Sequence, residues 1–106
     1  MVEWLEFIKT TLIASWEEVA RILGVRERTV QRWRKGQNFP RAKNLEKIKA
    51  LKEVCSLLSE YPEALRARFL AAKDPITQKT PAELLREGKI NEVLEQLYAL
   101  AEGGAY

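Results

Sequence analysis

The amino-acid sequence predicts an all-α fold, and three observations predict it. Apolar residues recur at helical spacing along nearly the whole chain. Two stretches, "SWEE" at Ser15 and "TPAE" at Thr80, are helix starts with a capping hydroxyl followed three residues later by Glu. Gly24, Gly36 and Gly88 each follow an apolar-periodic stretch, where a helix would stop.

The elements follow in order. Trp4, Leu5, Ile8 and Leu12 fall at i, i+1, i+4 and i+8 and define an amphipathic first helix. Ser15 and Glu18 form a capping box for the second, on which Trp16, Val19, Ala20 and Leu23 make one stripe. Gly24 ends it, because a chain turning sharply out of a helix often needs positive φ. A third helix covers about 27–35, and Pro40 keeps "QNFPR" a loop. A fourth, about 43–60, buries Leu45, Ile48, Leu51, Cys55 and Leu58. Pro62 occupies the first turn of a fifth, which runs to about Ala72, and "KDPITQ" is a connector. Thr80 caps a short helix with Pro81 at its first position and Glu83 at its third. The last, about 90–102, carries Ile90, Val93, Leu94, Leu97 and Ala101 on one face.

At 106 residues the chain makes one compact domain or two small lobes sharing a core, divided as 1–60 and 61–106. No apolar run approaches the roughly 18 residues of a membrane span. "MVEWLEF" is acidic where a signal peptide is basic, so a cytoplasmic location without membrane contact is expected. Histidine is absent and Asp74 is the only aspartate, which removes His-based triads and His metal sites and leaves little for a carboxylate cluster. No catalytic residue, metal or cofactor is therefore expected, and the chain reads as a non-enzyme. Cys55 is alone and is expected to be a buried packing residue.

The net charge of +3 conceals an asymmetry. Residues 26–52 hold ten Lys/Arg against Glu27 and Glu46, whereas residues 54–106 carry a net −2. An anionic partner for one half only is implied, with nucleic acid the leading candidate.

Counting from Ala20 shows where that partner would sit. Gly24 lies four residues on, Val30 ten and Trp33 thirteen, the spacing of a DNA-binding helix-turn-helix. Ala20 lets two helices cross closely, Gly24 makes the turn, and Val30 and Trp33 plug the second helix against the first. At 100° per residue, Val30 and Trp33 average about 170° from Arg28. Gln31, Arg32 and Lys35 lie within about 60° of Arg28, on the face pointing away from the core. Arg pairs two-pronged with guanine and Gln with adenine, while Lys35 suits a phosphate. Thr29 lies beside this stripe, Arg26 precedes the helix and suits backbone phosphates, and Arg34, Arg41 and Lys43 would extend a phosphate track. The expected DNA-binding set is Arg26, Arg28, Thr29, Gln31, Arg32, Lys35, Arg41 and Lys43.

In the second half, Phe69-Leu70, Pro75, Thr80-Pro81, Leu84-Leu85, Gly88, Val93 and Leu97 occur in an order and spacing that resembles the toxin-binding region of the Xre/MbcA/ParS antitoxins. The helix-turn-helix fits the same family, so the resemblance spans most of residues 15–106. The connector departs from it, with Thr77 and Gln78 where paired glycines are usual. The resemblance implies a helix-turn-helix DNA-binding lobe followed by a small helical toxin-binding lobe. It implies an antitoxin that neutralises a RES-domain-like toxin through its carboxy half, with Leu97, Leu100, Gly103, Gly104 and Tyr106 as contacts. The amino half would repress the operon as a homodimer on double-stranded DNA. The competing reading is a stand-alone helix-turn-helix repressor whose carboxy half dimerises.

Overall fold

The computed structural model describes residues 1–102, and these form seven helices and no strand. Helix α1 (Val2–Leu12) is followed by α2 (Trp16–Leu23), α3 (Glu27–Arg34) and α4 (Ala42–Leu58). The second half adds α5 (Glu63–Ala71), α6 (Pro81–Arg86) and α7 (Ile90–Ala101).

Local signals set most of the boundaries. The Ser15 hydroxyl accepts the Glu18 N–H at 3.1 Å, but only this half of the expected box forms, because the Glu18 carboxylate turns instead to Arg86 at 3.7 Å. The Thr80 box is complete: Thr80 Oγ1 accepts from the Glu83 N–H, and the Glu83 carboxylate accepts from the Thr80 N–H at 3.0 Å. Gly24 takes φ 72°, and the N–H of Val25 closes the end of α2 on the Ala20 carbonyl. Ile13 ends α1 with φ 52°, a left-handed conformation that costs a β-branched side chain energy. Pro62 stands one residue earlier than expected, as the N-cap of α5 rather than inside its first turn.

Helix α4 is the axis of the fold. It packs against α1 on one side and α7 on the other, so its buried surface is broad: Ile48, Leu51, Val54, Cys55 and Leu58. Val54 joins that core, while Leu45, expected inside, is only half-buried near the exposed amino end. Helices α2 and α3 pack as a pair beside α1, and α6 lies against α2 as well as α7. One continuous apolar cluster therefore runs from Leu5 through Val30 and Leu51 to Leu97, joining the two halves of the chain. Helix α5 buries no residue fully and leaves Leu65 exposed.

The connector between α5 and α6 is a tied turn. Asp74 accepts the N–H groups of Ile76 and Thr77 at 2.7 and 3.1 Å, which gives the only aspartate a structural task. Gln78 adopts φ 62°, the conformation glycine takes easily, and its side-chain amide donates to the Pro75 carbonyl at 3.0 Å. A glutamine thus completes the turn in the backbone geometry that a glycine favours.

Candidate functional site

The face of α3 follows from its two buried anchors. Val30 is fully enclosed and Trp33 is 3% exposed, both inside the core shared with α2. The opposite side carries Arg28, Arg32 and Lys35, all exposed to solvent. Arg26, at the N-cap without a side-chain capping bond, and Arg41 and Lys43, at the start of α4, are also exposed. Thr29 and Gln31 are half-buried at the margins of the row. A shallow cavity of about 360 Å³ lies between the end of α3 and the start of α4, lined by Thr29, Trp33, Asn38, Phe39, Arg41 and Asn44. Phe39 is an exposed aromatic at its lip, a residue that the charge pattern gave no reason to single out.

Arg34 is a correction. Expected to prolong the phosphate track, it is turned toward α1 and α2. Its guanidinium carbon lies 4.0 Å from the centroid of the Trp16 ring. Nη2 donates to Glu6 at 3.1 Å, and Nη1 donates to the Gln31 carbonyl oxygen at 2.9 Å. The reason is angular: on the α3 wheel Arg34 falls about 40° from Val30 and far from Arg28, so it emerges over the neighbouring helices. Lys9 lies over the same indole at 5.6 Å. Trp16 is half-buried, packed at the edge of the core with both cations close to its ring.

A second candidate surface lies between α5 and α7. A largely apolar groove of about 340 Å³ is lined by Leu58, Tyr61, Leu65, Phe69, Leu97 and Leu100, with Arg66 as its charged member. Leu97, expected among the contacts, is 2% exposed and belongs to the core; it supports the groove from below. Its position faces α4, which α7 covers, so a partner could reach it only by prising the helices apart. Leu100, one turn on, is half-buried at the rim and reachable. Gly103, Gly104 and Tyr106 lie outside the described residues. Tyr61 and Leu65 come into the groove through the fold alone, since neither belongs to the periodic stripes.

Hydrogen bonds and burial set the ionisable groups around these surfaces. The Tyr98 hydroxyl donates to the Glu53 carboxylate, pinning α7 to α4 and raising the phenol above its usual range. Its bond to the Thr80 backbone holds the Glu83 carboxyl low. Lys79 donates to Glu87 at 2.8 Å, which lowers the acid and raises the amine. Burial pushes the Cys55 thiol up to about 12. Among the described residues no helix is long and apolar enough to cross a membrane.

No protein-family model matches the chain. Over 91 residues it is 31% identical to the mycobacterial cidal antitoxin MbcA of Mycobacterium bovis, covering 84% of this chain and 80% of the relative. The identity and coverage are the same for the MbcA antitoxin of Mycobacterium tuberculosis. Among solved structures, a chain of the M. tuberculosis MbcT–MbcA toxin–antitoxin complex superposes with a TM-score of 0.70 at 28% identity. That match covers 96% of this chain and 94% of the other.

Proposed function

The chain belongs to the MbcA antitoxin family, and from that premise we propose that it neutralises a cognate toxin through its carboxy half and represses its own operon through α3. The observation that carries this reading is the separation of two dissimilar surfaces along α4. The cation row adjoins Arg41 and Lys43 at the amino end of that helix, and the apolar groove begins at Leu58 at the other. The fifteen helical steps from Lys43 to Leu58 place these ends about 22 Å apart. Such spacing lets one molecule hold an anionic duplex and a protein partner together.

At the duplex, Arg28 and Arg32 are the base-reading cations, and Arg26, Lys35, Arg41 and Lys43 neutralise phosphates. Thr29 adds a hydroxyl at the edge of the row. A homodimer would set two α3 helices about 34 Å apart, one turn of the duplex. At the groove, Leu100 with Tyr61, Leu65 and Phe69 supplies a desolvated centre of the kind that dominates protein interfaces. Gly103, Gly104 and Tyr106, outside the described residues, are assigned to the same partner, a RES-domain-like toxin.

Co-expression with the toxin encoded beside this chain tests the first activity. The expected result is rescued growth and a complex that co-purifies; deletion of residues 103–106 should weaken both and spare duplex binding. Absence of rescue and of any complex would refute neutralisation and leave the stand-alone repressor. Full neutralisation by the truncated chain would remove the tail from the interface.

A further inference from the structure

We infer that Arg34 is a positioning residue that fixes the amide of Gln31, so that α3 presents an amide donor at that position and selects guanine over adenine. The inference rests on the reading of α3 as a major-groove helix. It replaces the pairing that glutamine on its own would suggest.

The chemistry of arginine decides which end of the amide faces which way. A guanidinium has only N–H donors and no acceptor, so the Gln31 atom at 2.9 Å from Arg34 Nη1 is the carbonyl oxygen. The assignment follows from the partner and does not depend on telling nitrogen from oxygen by shape. Arg34 is itself held on two further sides. Glu6 accepts from Nη2 at 3.1 Å, and the Trp16 ring lies 4.0 Å from the guanidinium carbon. Residues from α1, α2 and α3 thus meet around one planar cation. The guanidinium side chain is only 28% exposed, so the Gln31 oxygen is drawn toward the interior of the helix cluster.

The consequence concerns base choice. Two-pronged reading of adenine needs the glutamine oxygen to accept from N6 while the nitrogen donates to N7. In this arrangement the oxygen is engaged by a charged donor, and the NH2 group is the end left to face outward. Guanine offers two acceptors on the same edge, O6 and N7, which suit that donor. Neighbouring Arg28 and Arg32 are exposed and have no ion-pair partner among the described residues. Gln31 is therefore the position of the row whose preference is tuned from beneath.

The test uses the full chain and a pool of random-sequence duplexes, reading base enrichment position by position. Wild type should enrich guanine over adenine by about tenfold at one position per half-site, and Gln31→Ala should lose that preference there alone. Arg34→Lys keeps the charge but cannot fork to Glu6 and Gln31 while lying flat on the indole. It should release the amide and move the same position toward adenine. Glu6→Gln, which keeps Arg34 and removes its charged anchor, should shift the preference in the same direction by less. Thermal unfolding of both variants confirms that they fold. A uniform loss of affinity with unchanged base preference would show Arg34 to be merely structural and overturn the inference. So would adenine enrichment by wild type at the position that Gln31→Ala abolishes. Failure of wild type to enrich any duplex would overturn the DNA-binding reading itself, a result distinct from either.

Discussion

Leu97 and Leu100 sit one turn apart on α7, and truncating each to alanine should have opposite consequences. Leu97 is 2% exposed and packs in the cluster that joins both halves of the chain. Removing its isobutyl group leaves a cavity that the α4–α7 interface cannot close by surface rearrangement. The expected cost is about 2–5 kcal/mol. Against a total stability of roughly 5–15 kcal/mol for a domain of this size, that is a large share. The melting temperature should fall by about 10–30 °C. Leu100 is half-buried at the groove rim, and its truncation should cost less than about 1 kcal/mol. Its effect should appear in toxin binding, where loss of an apolar contact that the partner covers costs roughly 1–2 kcal/mol. Thermal unfolding and a toxin titration on both variants separate the two roles. Equal destabilisation by both substitutions, or a Leu97→Ala variant as stable as wild type, would refute the division between support and surface.

Three further outcomes are expected from other parts of the molecule. Thr80→Ala breaks the capping box of α6 and should cost about 1 kcal/mol by thermal unfolding. The Glu83 carboxyl, held low chiefly by its bond to the Thr80 N–H, contributes stability that is present above its unfolded value of 4.5 and is lost as pH falls through its lower folded value. Thr80→Ala keeps that N–H and should leave most of this acid dependence, whereas Glu83→Gln should flatten it, and an unchanged pH profile in Glu83→Gln would contradict the assignment. Ile13→Gly relieves a left-handed β-branched residue that is 69% exposed and should stabilise the chain by roughly 0.5–1 kcal/mol, a gain that unfolding in denaturant would detect. Cys55, fully buried with its thiol raised to about 12, should resist a thiol-specific reagent at neutral pH and react on unfolding; rapid labelling of the native chain would place it at the surface.

Where the sequence is informative, the signals are local. Thr80, Pro81 and Glu83 are neighbours whose mutual bonds need nothing from the rest of the fold, and their box forms complete. Ser15 and Glu18 show the limit, because Arg86 arrives from sixty-eight residues away to draw off the Glu18 carboxylate at 3.7 Å. The outward aspect of Arg28, Arg32 and Lys35 follows from helical angles once Val30 and Trp33 are known to be inside. The same wheel sets Arg34 apart from that row, about 40° from Val30, but its partners were not legible in this way: Glu6 lies on α1 and Trp16 on α2, and no periodicity within α3 contains them.

The second half divides along the same line. The order of its motifs carried the family resemblance, and the relatives bear it out. Individual contacts were harder to place, because a stripe on α7 does not say which of its members α4 will cover. Leu97 is covered and Leu100 is not, a distinction set by where α4 ends beneath α7. The Gln78 turn was equally hidden: only its φ of 62° shows how a non-glycine residue completes the connector. The lobes proposed as 1–60 and 61–106 likewise share a single core cluster, to which both halves contribute.

In the proposed function, the buried Trp33 turns a row of cations on α3 toward a duplex. Operator affinity as a function of salt, for wild type and for the triple variant Arg28→Ala, Gln31→Ala, Arg32→Ala, tests it most directly. The variant should fold and still bind the toxin, with a large loss of operator affinity and a shallower salt dependence. Operator affinity equal to that of wild type would contradict this orientation.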